Sequence, residues 1–349
     1  MRAARTFAAP VAGLSPANFA IVMATGVIGV DAQQQGYDVL GEVLLAIALV
    51  AWLALAAMST GRLLWHREHL LADLRSHQRA PGFLTTVAGT SVLGSLWLVL
   101  GLPVQASALL CALALALWLV LTYGILIALT LQRDKPALAD AISGAWLLVV
   151  VAMQSIAILA VLLAAHAQQP ARLMLNFLAL AMWFCGGMVY VWLISLIFYR
   201  LAFFRFGPED LAPTSWINMG AMAISALAGA QLVLNAPGAP FLSSLLPVLQ
   251  GGTVLYWAVG TWWIPLLAGL ALWRYVHRRY PLRYEVGYWG VVFPLGMYSA
   301  ATQQMAQALG VRFLLPVARG FFFLAVAAWL LTAAGLVRQW LRANERRAT

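Results

Sequence analysis

Residues 104–135 read VQASALLCALALALWLVLTYGILIALTLQRDK. No charge appears until Arg133, Asp134 and Lys135 arrive together. About 20 apolar residues suffice for a helix to cross roughly 30 Å of hydrocarbon. The run is far too long for a barrel strand, and unpaired backbone is costly in lipid. The stretch therefore predicts a transmembrane helix ending at a basic, wetted edge.

The same pattern recurs on both sides. Apolar runs are expected at 14–30, 39–63, 83–101, 104–130, 138–165, 173–199, 215–234, 245–276, 287–309 and 314–336. Hydrophobic residues make up 63% of the chain and charged residues 9%, against about 25% charged in soluble domains. The expected fold class is an all-α integral membrane protein with ten transmembrane helices. The expected organisation is an N-terminal segment 1–13, a transport domain 14–341 and a tail 342–349. The first apolar run lacks a clear cleavage site and reads as a retained helix.

The net charge of +10 suggests nucleic acid until its carriers are located. Lys and Arg cluster after every second run: Arg2 and Arg5, then Arg62 to Arg79, Arg133 with Lys135, Arg200 with Arg205, Arg274 to Arg283, and Arg338 to Arg347. Of the 21 basic residues only Arg172, Arg312 and Arg319 fall elsewhere. The positive-inside rule then places both termini in the cytoplasm. The basic residues anchor a membrane protein, so no nucleic-acid partner is expected. Short outer connections such as Gly101-Leu102-Pro103 suggest five successive hairpins.

Odd-numbered runs carry small and hydroxylated residues: Thr25, Gly26 and Gly29; Thr85, Thr86, Gly89, Thr90, Ser91, Gly94 and Ser95; Ser143 and Gly144; Asn218, Gly220, Ser225 and Gly229; and the ninth run with Gly290, Pro294, Gly296, Ser299 and Thr302. Such residues permit close helix packing and also line polar cavities without fixed charge. Their segregation onto odd runs points to a shared central path, with Thr25, Gly26, Thr90, Ser91, Ser143, Gly144 and Gly220 as lining candidates. The eighth run, with Gly251, Gly252, Thr253, Gly260 and Thr261, is an exception expected to pack closely on an inner helix. Pro294 removes a helical donor and kinks or breaks its helix, with Gly290 and Gly296 flanking it. Phe293 sits at that point, either as a constriction or as a ring filling a packing defect.

Ionisable groups within the runs are scarce. Asp140 lies at the start of the fifth run, either facing the interface or serving the path. Arg319 near the start of the tenth either snorkels outward or attracts an anion at a mouth. Asp31, Asp38 and Glu42 are expected on the outer side. His66 and His69 share a helical face but belong to a wet continuation of the second run. No metal site, nucleotide loop, Cys-x-x-Cys pair or catalytic triad is legible, so neither a cofactor nor an enzyme activity is expected.

The opening Leu14-Ser-Pro-Ala-Asn-Phe-Ala-Ile-Val-Met-Ala-Thr-Gly26, the segment Pro213-Thr-Ser-Trp-Ile-Asn-Met-Gly220 and the run Gly287-Tyr-Trp-Gly-Val-Val-Phe-Pro-Leu-Gly296 resemble the tellurite-resistance/dicarboxylate transporter family. That family contains bacterial tellurite-resistance proteins, fungal malate permeases and sulfite pumps, and plant slow anion channels. The resemblance covers the whole chain. It implies five tandem helical hairpins around a central pore in each subunit, and a homotrimer of such pores in a bacterial inner membrane. It further implies small anionic substrates, among them C4-dicarboxylates, sulfite, chloride and nitrate. Phe293 matches the ninth-helix phenylalanine that closes the pore in this family, which implies a gate. A sulfite exporter and a membrane scaffold without flux are the alternative readings.

Overall fold

The computed structural model describes residues 11–348. Arg2 and Arg5, most of the expected 1–13 segment, and Thr349 lie outside them. The long helices are α1 (Ala20–Gln34), α2 (Asp38–Trp65), α3 (Leu84–Val99), α4 (Val104–Thr130), α5 (Leu148–His166), α6 (Ala171–Phe203), α7 (Ile217–Asn235), α8 (Leu246–Leu272), α9 (Trp289–Leu309) and α10 (Leu315–Ala348). No strand occurs among the described residues. The expected tail continues α10 as helix to Ala348.

Among the described residues, eight helices are long and apolar enough to cross a membrane. They are α2 to α8 and α10. The expected count was ten. The difference lies in α1, which has only 15 residues, and in α9, which contains Pro294, Thr302, Gln303, Gln304 and Gln307. Helix α9 runs through Pro294 unbroken. Asp140 does not begin the fifth helix. It lies in a short separate helix, Leu138–Ala141, and is exposed.

Burial divides the helices by parity. In their most apolar windows α3, α5 and α7 are 78%, 89% and 89% buried, whereas α8 and α10 are 17% and 11% buried. Helix α1 is buried continuously from Val22 to Ala32, and α9 almost throughout. The odd helices pack against one another in sequence, α1 on α3, α3 on α5, α5 on α7 and α7 on α9, and α9 returns to α1. They form a closed ring. Each even helix packs antiparallel on its preceding odd helix and also touches the next one. The even helices make an outer layer set into the grooves of the inner ring.

Hydrophobicity cannot sort these layers, because lipid tails are as apolar as leucine. Small residues and polar contacts do the sorting. A methyl group at Gly220 of α7 would lie 2.7 Å from Pro294 Cγ of α9. One at Gly296, on α9 itself, would lie 3.0 Å from Val27 Cγ1 of α1. Helix α9 is thus approached closely from two sides at glycine positions. On the outer layer, Gly252 of α8 leaves room for the Trp183 ring, and Gly260 faces Met222 of α7. The close packing expected for α8 is present.

The two layers are joined by indole hydrogen bonds. Trp52 of α2 donates to Thr90 Oγ1 of α3 at 2.9 Å. Trp257 of α8 donates to Thr302 Oγ1 of α9 at 2.9 Å. Trp329 of α10 closes the circle onto Thr25 Oγ1 of α1, also at 2.9 Å. Trp183 of α6 donates to the Ser225 carbonyl of α7 at 2.8 Å. The corresponding residue of α4, Trp118, is buried but its Nε1 has no partner. In hydrocarbon an indole N–H gains by turning inward to an acceptor. Each such bond fixes an outer helix onto the next inner one.

Replacing Trp329 by Phe, or Thr25 by Val, should therefore lower the melting temperature in detergent. Each should cost about 0.5–1.5 kcal/mol. The double variant should lose less than the sum of the two, since both remove one bond. Fully additive losses in a thermal-shift double-mutant cycle would refute the Trp329–Thr25 link.

Candidate functional site

Every inner helix is entered through a 3-10 turn. These turns are Pro16–Phe19, Ala80–Phe83, Gly144–Leu147, Pro213–Trp216 and Val286–Tyr288. Proline at the first positions suits three of them, since its missing N–H would have no helical partner there. The turns also touch one another in a closed circle, first to second, second to third, and so on back to the first. The circle gathers the N-terminal ends of all five inner helices. Each such end carries unsatisfied N–H groups and roughly half a positive charge.

Ser143 and Gly144 belong to this circle. Ser143 is the extended residue that precedes the third turn. A methyl group at Gly144 would collide with the Thr214 carbonyl, 2.4 Å away, so glycine there lets the third and fourth turns meet. Both residues line a small cavity with Arg200, Asp210, Ser215 and Asn218. Arg200 is not free within it. Its Nη2 pairs with Asp210 Oδ1 at 2.9 Å, and its Nε donates to the Ala139 carbonyl.

Arg274, expected only as a basic anchor after the eighth run, has a further place here. It is buried, donates to the Leu211 carbonyl just before the fourth turn, and lies 4.2 Å from the Tyr280 ring centroid. No carboxylate pairs with it in any ion pair of the described residues. Tyr275 and Tyr288 hydroxyls meet at 3.0 Å beside it. Burial pushes the Tyr284 and Tyr288 hydroxyls above the ordinary tyrosine value. Both therefore stay neutral, and the arginine's charge is not cancelled by a phenolate.

Above the turns, a cavity lies on the axis of the ring. All five inner helices line it: Val27, Val30 and Gln34 of α1, Val92, Ser95 and Val99 of α3, Ser155, Ile158 and Leu162 of α5, Leu227 and Gln231 of α7, and Met297 and Ala300 of α9. Its volume is ≈ 30 Å³, room for on the order of two waters. No lining residue is ionisable. Its polar groups are two hydroxyls and two amides, and Gln34 Oε1 has no hydrogen-bond partner.

Phe293 lies one turn before Met297 on α9 and is fully buried. At 3.6 residues per turn, positions 293, 297 and 300 share one helical face. Phe293 thus falls on the face of α9 that carries the cavity-lining Met297 and Ala300, on the side of the helix nearer its N-terminal turn. Pro294, next to it, cannot donate to the Gly290 carbonyl one turn earlier. On its other side Pro294 abuts Gly220.

The remaining candidates fall into different places. Ser91 is fully buried with its hydroxyl unpartnered, one turn before Ser95 on the axial face of α3. Gly26 sits at the crossing of α1 and α3, where a methyl group would lie 2.7 Å from Val92 Cγ1. Thr25 and Thr90 do not line the cavity, and both accept bonds from the outer tryptophans. Arg319 is exposed on α10, beside Ala318, whose carbonyl accepts from Ser299.

Asp31, expected on the outer side, belongs to the last turn of α1 and is fully buried. Gln35 Nε2 donates to its Oδ1 at 3.0 Å and reaches Ser299 Oγ of α9 at 3.2 Å. Its Oδ2 has no partner. The apolar run ended at Val30, but the helix continues to Gln34, and this carries Asp31 inside.

The comparisons fit this architecture. A stretch of 151 residues is 38% identical to an uncharacterized membrane protein of Mycobacterium tuberculosis, covering 43% of this chain and 75% of that protein. An uncharacterized transporter of Methanocaldococcus jannaschii is 23% identical over 334 residues, covering 91% of this chain and 90% of that protein. A second uncharacterized transporter of the same organism is 27% identical over 150 residues, covering 43% of this chain and 42% of that protein. The family model described as voltage-dependent anion channel matches residues 13–337. The match runs from before the first entry turn deep into α10, and the chain belongs to the voltage-dependent anion channel family.

Proposed function

We propose that the protein is an anion channel whose path follows the axis of the inner ring and is closed by Phe293. The observation that supports this reading is a charge-free cavity lined by all five inner helices, with the fully buried Phe293 one turn before its lining residue Met297 on α9. Five helix N-termini converge beneath it and favour an anion at the mouth. Neutral donors and acceptors above it accept an ion without trapping it. Pro294 and the flanking Gly290 and Gly296 loosen the helix that carries the ring.

The preferred substrate is a small monovalent anion such as chloride or nitrate. A narrow lumen without fixed charge penalises a doubly charged ion more heavily than a singly charged one. Ten crossings accompany this reading, α1 and α9 being added to the eight apolar helices. These two are enclosed by neighbours rather than lipid, so they need not be as apolar. The alternating arginine clusters then put both ends in the cytoplasm of a bacterial inner membrane. We place three such copies in a homotrimer, on the motif resemblance.

Purified protein in liposomes should pass chloride and nitrate in response to an imposed potential, and malate or sulfite far less. Phe293→Ala should raise that flux several-fold while leaving the melting temperature within a few degrees. Unchanged flux in well-folded Phe293→Ala protein would remove Phe293 as the gate. Dominant sulfite extrusion would select the exporter reading, and no flux of any ion would select the scaffold.

A second reading is a proton-coupled dicarboxylate carrier. Asp31 favours it, being a buried acid linked through Gln35 to Ser299 of α9, with no cation partner among the described ion pairs. In that case malate uptake should depend on a pH gradient, and Asp31→Asn should abolish the dependence. Uptake that ignores the gradient in the unmutated protein would dismiss the carrier.

A further inference from the structure

The largest of the described cavities faces away from the ring. It is a groove of ≈ 440 Å³ between α6 and α8, within the size range of sites that hold drug-sized molecules. Its walls are aromatic: Tyr190, Phe198, Tyr199, Phe203, Trp262 and Trp263. Phe198, Tyr199, Phe203 and Trp262 are 51%, 48%, 72% and 58% exposed. The polar atoms of the floor are already engaged. Trp263 Nε1 donates to Tyr190 Oη at 2.9 Å, and Tyr190 Oη donates to the Asn218 carbonyl. What remains facing outward is a set of ring faces, suited to a flexible hydrocarbon chain.

Both walls are helices long and apolar enough to cross a membrane, so the medium beside the groove is acyl chain. One end of the groove has a distinct chemistry. Arg205 follows Phe203 by two residues, beyond the end of α6. Arg278 and Arg279 lie beyond the end of α8, and Arg278 rests 5.6 Å from the Trp273 ring centroid. All three arginines are exposed, and none takes part in an ion pair of the described residues. Of the nearby acids, Asp210 is taken by Arg200, while Glu209 and Glu285 are exposed. Three exposed guanidinium groups outside any described ion pair thus lie beyond the ends of the two helices that wall the groove. Basic pockets at the ends of membrane helices attract anionic headgroups.

We propose that this groove binds an anionic phospholipid, with an acyl chain on the aromatic walls and the phosphate at Arg205, Arg278 and Arg279. The site is separate from the axial path and does not depend on which ion crosses. Guanidinium groups suit phosphate because they offer paired donors.

The test is native mass spectrometry of the full chain in detergent, with equimolar phosphatidylglycerol and phosphatidylcholine of identical acyl chains. The protein should retain phosphatidylglycerol several-fold more than phosphatidylcholine. Combined Arg205→Gln, Arg278→Gln and Arg279→Gln should erase the preference while leaving some binding of both lipids. Trp262→Ala with Phe198→Ala should reduce both. Arg338→Gln with Arg342→Gln removes charge from α10 instead and should leave the preference intact. Equal retention of the two lipids by the unmutated protein would overturn the proposal, as would loss of preference in the α10 variant alone. A fall in oligomeric state on Trp262→Ala would overturn it too, by assigning the groove to a second copy of the chain.

Discussion

The closure of the inner ring depends on how near its backbones can come. Gly220 against Pro294, Gly296 against Val27 and Gly26 against Val92 are contacts in which a single methyl group would intrude. Within a bilayer, apolar area gives no drive for one helix to prefer another over lipid. Close backbone approach supplies the dispersion contacts that replace that drive. The enclosed polar groups follow from it, since Ser91, Ser95 and Gln34 are tolerable in hydrocarbon only behind a closed wall of helix.

The outer layer answers a different demand. Its helices present Leu, Val and Phe to lipid, and each places a tryptophan that turns toward the ring. Three of these indoles use a threonine of the next inner helix and one uses a carbonyl. The hydroxyls of Thr25 and Thr90 therefore hold the layers together. This leaves the axial cavity with aliphatic side chains and a few neutral polar groups. Charge is concentrated instead at the turn end, where helix N-termini and Arg274 gather.

Much of this was legible in one dimension. Apolar length and the sparse charge specified a helical membrane protein, and the opening and ninth-run motifs carried the family. The enrichment of glycine and hydroxyl residues on alternate runs anticipated which helices are inner. The direction of individual side chains was not legible, because inner helices are buried on every side and offer no polar face to mark the axis. Thr25 and Ser91 look equivalent as letters, yet one meets an indole and the other has no partner. The tryptophans at 52, 118, 183, 257 and 329, placed on successive even helices, were the available signal. The burial of Asp31 was not legible, because apolarity ended before the helix did.

By itself the sequence determined the material of this protein, since long uncharged runs have no stable home except helix in lipid, and basic residues cannot follow them there. It also determined which helices could approach closely, because that requires small side chains. Only the tertiary structure decided which groups share the axis. That outcome depends on the rotation of each helix about its own length, and rotation is set by contacts between residues far apart in the chain, such as Gly220 with Pro294 and Trp329 with Thr25.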